Sequence, residues 1–153
     1  NSYSMQKFEY GNNKIAKQFM SQVDDMELKQ HAELNWPNDY RMQRHEYQDQ
    51  KKAKHFMSNA DDVELKQFAQ LESPNDYEEQ MLVYQDQKKA KQFMSGVDDS
   101  ELKQHAELKW PNDYSMQMDE YQDNKKAKQV KSKTQQSETS SNFWDGVKNP
   151  DNP

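Results

Sequence analysis

Apolar positions in this chain recur on two spacings at once. Over short stretches they fall three and four residues apart, the spacing of one helix face. Over the whole chain they return every 37 residues: Tyr10, Tyr47, Tyr84 and Tyr121 are evenly spaced, and so are Pro37, Pro74 and Pro111, each opening a Pro-Asn-Asp-Tyr run. Residues 47–83 and 84–120 are identical at 25 of 37 positions, which makes them copies of one unit. A fixed period of this size marks stacked units, each too small to bury its apolar face alone.

Within a unit the signals are helical. In Ser73-Pro74-Asn75-Asp76 the pattern predicts a cap, a proline at the first helical position and an acid near the positive helix end. A long helix is expected over 74–95, with Tyr77, Gln80, Tyr84, Gln87, Ala90 and Met94 facing inward and Phe93 beside them. Gly96 then stands where a C-terminal cap belongs. Asp98-Asp99-Ser100-Glu101 resembles a capping box and opens a short helix over 99–109, with Leu102, His105/Ala106 and Leu108 on its apolar side. No strand pattern is present. The expected fold is all-α: tandem helical-hairpin repeats of 37 residues forming a short α-solenoid or elongated array.

The expected boundaries follow. Residues 1–9 are a polar lead-in, repeats occupy 10–46, 47–83 and 84–120, and 121–131 is a capping helix closing a repeat domain of 10–131. The fourth copy loses the pattern at Val130 and Lys131, where earlier copies have Phe56-Met57 and Phe93-Met94. From Ser132 the chain is rich in Ser, Thr and Gln, so 132–153 is expected to be a flexible tail.

The copies act as a small mutation series. Leu28/Leu65/Leu102, Ala32/Ala69/Ala106 and Leu34/Leu71/Leu108 never change and are expected in the core. Tyr40/Tyr77/Tyr114 and Gln43/Gln80/Gln117 also hold, and a repeated inward Gln implies an interhelical hydrogen bond. His31 and His105 are matched by Phe68, which suits a half-buried aromatic slot better than a metal ligand or base. Variation gathers at 35, 36, 41, 42 and 44–46 and their equivalents. The candidate partner-binding residues there are Trp36, Arg41, Arg44, His45, Glu78, Glu79, Leu82, Trp110, Ser115 and Met118. Plain drift at exposed sites is the competing explanation.

Composition narrows the classes. Leu, Ile, Val and Phe make up only 13% of the chain, below the roughly 20% of ordinary globular domains, so eight Tyr, nine Met and three Trp must supply much of the packing surface. No Cys is present, which removes thiol chemistry. No apolar run approaches the length of a membrane span, so no membrane partner is expected. Cytoplasmic residence is the leading reading. A removed leader, and hence a secreted or periplasmic form, is the alternative, since the chain starts at Asn1 rather than Met.

Candidate chemistry is sparse. Lys51-Lys52, Lys88-Lys89 and Lys125-Lys126 recur in Lys-Lys-Ala-Lys runs and are possible nucleic-acid contacts following a phosphate backbone. Against this, unit 84–120 carries eight acids and five lysines, and a solvated helix face explains the runs. The Asp24-Asp25, Asp61-Asp62 and Asp98-Asp99 pairs lack calcium-loop spacing and read as helix caps. Met42 and His45 form a Met-x-x-His pair, but His45 becomes Leu82 and Asp119 in the other copies, which argues against a copper site. No metal, no cofactor and no catalytic residues are expected, and the chain reads as a non-enzyme. Phe143 and Trp144, adjacent aromatics in a polar segment, are candidates for docking to a partner or onto the last helix.

The run Trp110-Pro111-Asn112-Asp113-Tyr114-Ser115-Met116-Gln117, followed by Tyr121, resembles a short helical segment of many uncharacterised bacterial proteins, with the pattern Trp/Phe-Pro-x-Asp-Tyr-x-Met-Gln. Trp36-Pro37-Asn38-Asp39-Tyr40-Arg41-Met42-Gln43 matches as well, whereas the second copy has Ser73 and Glu79 in place of Trp and Met. The resemblance covers about a third of each repeat and implies a bacterial or phage origin, with no activity or ligand attached. The period of 37 and the missing small-residue pattern set the chain apart from tetratricopeptide repeats. The expected function is a protein-protein interaction or assembly scaffold, through an unknown partner or self-association. The alternatives are a nucleic-acid-associated protein using its periodic lysines and a conditionally folded, stress-protective polar chain.

Overall fold

The computed structural model describes the backbone of residues 3–145 and the side chains of Met5 and residues 9–134. Among the described residues the fold is all-α, with seven helices and no strand: α1 (Tyr3–Gln22), α2 (Met26–Asn35), α3 (Tyr40–Ser58), α4 (Val63–Glu72), α5 (Tyr77–Ser95), α6 (Ser100–Lys109) and α7 (Tyr114–Asp145). Long and short helices alternate. The chain forms two compact units, residues 1–86 and 87–153.

Each short helix starts at the second aspartate of an Asp-Asp pair. Asp25, Asp62 and Asp99 adopt extended backbone and accept the N–H of Leu28, Leu65 and Leu102, meeting a helix-end donor that would otherwise lack a partner. The cap is therefore Asp99 and not Asp98, so Glu101 is one residue too early to close a capping box. The first aspartate has a different task, described below.

The long helices start later than the proline implies. Pro74 lies in a turn, Ser73 caps the end of α4, and Asp76 accepts the Glu79 N–H at 3.1 Å ahead of α5. Asp39 likewise accepts from Arg41 and Met42 at 3.1 Å. The turns demand left-handed backbone at Asn38 (φ 69°) and Asn112 (φ 71°), which asparagine tolerates better than most residues. Gly96 follows α5 without a positive φ, so the helix ends there without left-handed geometry.

In unit 1, α3 packs against both α1 and α2, and Met20, Leu28, Ala32 and Tyr47 form a buried cluster flanked by Phe19, Val23 and Tyr77. In unit 2, α7 packs on α6, and Met94, Ala106 and Tyr121 are buried together with Val97, Leu102 and Met118 against them. The inward stripe of α5 is as expected for Gln80, Tyr84, Gln87, Ala90 and Met94, all buried. Leu34, Leu71 and Leu108 correct the core assignment. They are 81%, 82% and 77% exposed. At 100° per residue each lies about 200° around the helix from the buried alanine two positions earlier.

Helix α1 starts at Tyr3, so the lead-in is helical from its third residue. Tyr3 and Gln6 stand 37 residues before Tyr40 and Gln43, and Tyr3, Tyr40, Tyr77 and Tyr114 each open a long helix. Tyr10, Tyr47, Tyr84 and Tyr121, where the expected units start, fall inside the long helices. At the other end, α7 continues past 131 to Asp145, through most of the expected tail. Residues 114–145 contain neither Gly nor Pro, and the first breaker is Gly146. Residues 146–153 lie outside the described part.

Candidate functional site

The best-defined geometry surrounds a tyrosine that reaches from each of α3, α5 and α7 to the start of the preceding short helix. Tyr47, Tyr84 and Tyr121 are buried, and their hydroxyls donate to Asp24, Asp61 and Asp98 at 3.0, 2.7 and 3.0 Å. The same oxygens accept the N–H of Asp25, Asp62 and Asp99 at 3.4, 3.2 and 3.3 Å. Phe19, Phe56 and Phe93 stand edge-on to the three rings at 6.0, 5.8 and 6.1 Å, an arrangement that suits the ring quadrupoles.

This geometry changes the meaning of the lysine runs. Lys51 pairs with Asp24 at 3.1 Å and Lys125 with Asp98 at 2.8 Å. Lys54 bridges Asp25 and Glu27 at 2.9 and 2.8 Å while lying over the Tyr77 ring at 5.1 Å. The Lys125 bond, with the Tyr121 hydroxyl, holds Asp98 down at about 2. Lys52 and Lys126 pair with Asp49 and Asp123 on their own helices, at 2.7 and 3.6 Å. Lys88 and Lys89 also have interaction partners. The pairs above offset much of the positive potential that a phosphate backbone would meet.

Gln43, Gln80 and Gln117 donate from Nε2 to the carbonyls of Trp36, Ser73 and Trp110 at 2.8, 2.7 and 2.8 Å, closing the ends of the short helices. Their Oε1 atoms are buried without a hydrogen-bond partner in the protein.

The variable corner divides into coupled and free positions. His31 Nε2 lies 3.0 Å from Glu46 Oε1, and Asn35 and the Trp36 Nε1–H also donate to the Glu46 carboxylate. In unit 2, His105 lies 3.3 Å from Glu120, which also pairs with Lys109 at 2.6 Å. That lysine and Asn124 hold Glu120 at about 2. The second copy has Phe68, Ser73 and Val83 where the others have His, Trp and Glu. The three positions change as a set, so Phe68 replaces a histidine whose carboxylate partner has gone too. Sequence reading treated the histidine alone and missed the partner, although the joint change of 31, 36 and 46 carried the signal.

The remaining candidates scatter. Arg44 lies over the Phe19 ring at 5.0 Å, and Met118 packs against the unit 2 core. Arg41, His45, Glu79 and Leu82 are exposed, whereas Ser115 and Trp110 are half-buried. Burial pushes the Glu78 carboxyl up, helped by the nearby charges of Glu46, Asp49 and Asp76. Burial also works against the Asp76 charge, but the Gln50 bond and the Glu79 N–H outweigh it and bring its pKa down. Phe143 and Trp144 lie outside the described side chains.

Among the described residues no group of three or more His, Cys, Asp or Glu side chains is placed to hold a metal ion, and no helix is long and apolar enough to cross a membrane. A scan against protein-family models matches none, and searches of the curated proteins and of the solved structures find no match.

Proposed function

We propose that the chain is a non-enzymatic scaffold, a tandem helical-hairpin array that binds a protein partner or a second copy of itself. One observation carries this reading. Leu34, Leu71 and Leu108 are retained in all three copies although each is more than three-quarters exposed. The next position varies in every copy, Asn35 becoming Glu72 and Lys109. Packing does not hold these leucines in place, and a partner that needs them would. Single exposed apolar residues are ordinary, but the same one at the same site of every short helix is a repeated offer of apolar surface.

The test is capture of partners by the tagged chain from lysate, with and without nuclease. The joint change Leu34→Ser, Leu71→Ser and Leu108→Ser should abolish capture and leave the melting curve in place. Arg41→Glu with Arg44→Glu tests the variable corner in parallel. Sedimentation of the purified chain separates self-association from a foreign partner. Unchanged capture and sedimentation in both variants would overturn the reading, and capture lost only with nuclease would transfer the function to the lysines.

A further inference from the structure

Although the variable-corner candidates scatter as a group, Arg41, Arg44 and His45 meet in one pocket of unit 1. It measures about 430 Å³ and lies between α1 and α3, with Asn12 and Ile15 from α1 and Gln48 beside the three basic residues on α3. This volume falls within the roughly 300–1,000 Å³ typical of ligand sites. No carboxylate lines the pocket. Among the described residues none forms an ion pair with Arg41, Arg44 or His45. The Arg44 guanidinium is held over the Phe19 ring at 5.0 Å, which leaves its edge to donate hydrogen bonds. Arg41 and Arg44 are the only arginines in the sequence.

The other copies lack this cluster. Asp49, Asp86 and Asp123 stand where the first copy has Asn12, and Lys52, Lys89 and Lys126 where it has Ile15. Glu78 and Ser115 replace Arg41, Met81 and Met118 replace Arg44, and Leu82 and Asp119 replace His45. With histidine neutral, the two arginines give these positions a charge of +2 in the first copy. Asp49, Lys52 and Glu78 give −1 in the second, and Asp86, Lys89 and Asp119 give −1 in the third. The arginines are also placed against their own helix. Arg41 is the second residue of α3, near its positive end, and Arg44 follows three positions later. Cations at a helix N-terminus oppose the dipole, and like charges at that spacing repel. Helix α5 carries Glu78 and Glu79 in its first turn instead. A bound dianion would relieve both penalties.

We infer that this pocket binds a phosphate monoester, its phosphoryl oxygens accepting paired N–H bonds from Arg41 and Arg44 and a further bond from His45, Asn12 or Gln48. The guanidinium fork matches phosphate oxygens two at a time. A phosphoryl group near charge −2 satisfies both cations, whereas one carboxylate would leave a cation unmatched. Ile15 offers apolar surface to the group that carries the phosphate. This inference goes beyond the scaffold reading and does not rest on it.

The experiment is fluorescence anisotropy of the full chain with a fluorescein-labelled peptide of Gly and Ala around one phosphoserine. Control peptides carry Ser or Glu at that position. The decisive variant is Arg41→Glu with Arg44→Met, which installs the second copy's own residues, and a melting curve verifies its fold. Asn12→Asp restores the acid of the other copies on the α1 side. The wild-type chain should bind the phosphopeptide and neither control. The double-arginine variant should not bind, and Asn12→Asp should weaken binding about tenfold. Displacement by phenyl phosphate as effective as by unlabelled phosphopeptide would assign the site to small monoesters, and weaker displacement to phosphorylated protein segments; both keep the phosphoryl group as what is recognised. Failure of the wild type to bind, equal binding of the Ser or Glu peptide, or unchanged binding by either variant would overturn the inference. The triple leucine variant should bind the phosphopeptide as tightly as wild type. Phosphopeptide binding without capture or self-association would sink the scaffold reading alone, and capture without phosphopeptide binding would sink this one alone.

Discussion

Gln50 holds the start of the following helix through both ends of one amide. Its Nε2 donates to Asp76 Oδ1 at 2.7 Å, and its Oε1 accepts the Tyr77 N–H at 2.8 Å. Gln87 repeats both bonds in unit 2, to Asp113 at 2.8 Å and Tyr114 at 2.7 Å. The equivalent residue in α7 is Asn124, one methylene shorter, and it bonds back to Glu120 at 2.9 Å. Gln50→Leu keeps the bulk and removes both bonds, leaving the Tyr77 N–H without its partner. It should cost about 1–3 kcal/mol, read as a lower urea midpoint at unchanged slope. An unchanged midpoint would mean that the amide has no part in joining the hairpins.

Tyr84→Phe isolates the hydroxyl from the ring. The ring stays buried against Phe56, while Asp61 and the Asp62 N–H lose their shared partner. The expected loss is about 1–2 kcal/mol, against about 3–5 for Tyr84→Ala, which empties the site as other large-to-small aromatic truncations do. Equal losses for the two variants in thermal unfolding would refute this division.

Leu65 and Leu71 lie on one short helix and differ only in orientation. Leu65→Ala should cost about 2–5 kcal/mol, because it leaves a cavity. Leu71→Ala should stay within about 0.5 kcal/mol, as surface changes do. Denaturant titration of the two variants checks whether the leucine row is free of packing duties.

Gly96→Ala should raise stability by about 0.4–1 kcal/mol, because the alanine restricts the unfolded chain and the folded backbone is not left-handed. A fall in melting temperature would show that the helix end needs glycine after all.

Acid should weaken unit 2 over a defined range. The Lys125 bond brings Asp98 from 3.8 to about 2, and the Lys109 bond brings Glu120 from 4.5 to about 2. A carboxyl depressed in the folded state contributes stability above its unfolded pKa and loses that contribution as pH falls through the folded one. The contribution of these two groups should therefore be complete above about pH 5 and gone below about pH 2. Lys109→Met with Lys125→Met should flatten the fall in melting temperature across that window, and a fall as steep as wild type would contradict it.

Much of the fold was legible in the residues alone. The three-and-four spacing of Gln80, Tyr84, Gln87, Ala90 and Met94 names the buried face of α5, because helical pitch settles which side chains share a face. The Asp-Asp pairs mark the short-helix starts, because an oxygen is needed where helix-end donors lack partners. Leu34, Leu71 and Leu108 were legible too and misread, since their apolar character was weighed without their angle around the helix. Other features were beyond the sequence. Lys51 finds Asp24, Gln50 finds Asp76 and Tyr77 finds Glu27 over separations of 26 to 50 residues. Periodicity determines the direction in which each side chain leaves its own helix. Which neighbour it meets depends on how helices far apart in the chain pack, and only the tertiary structure decides that.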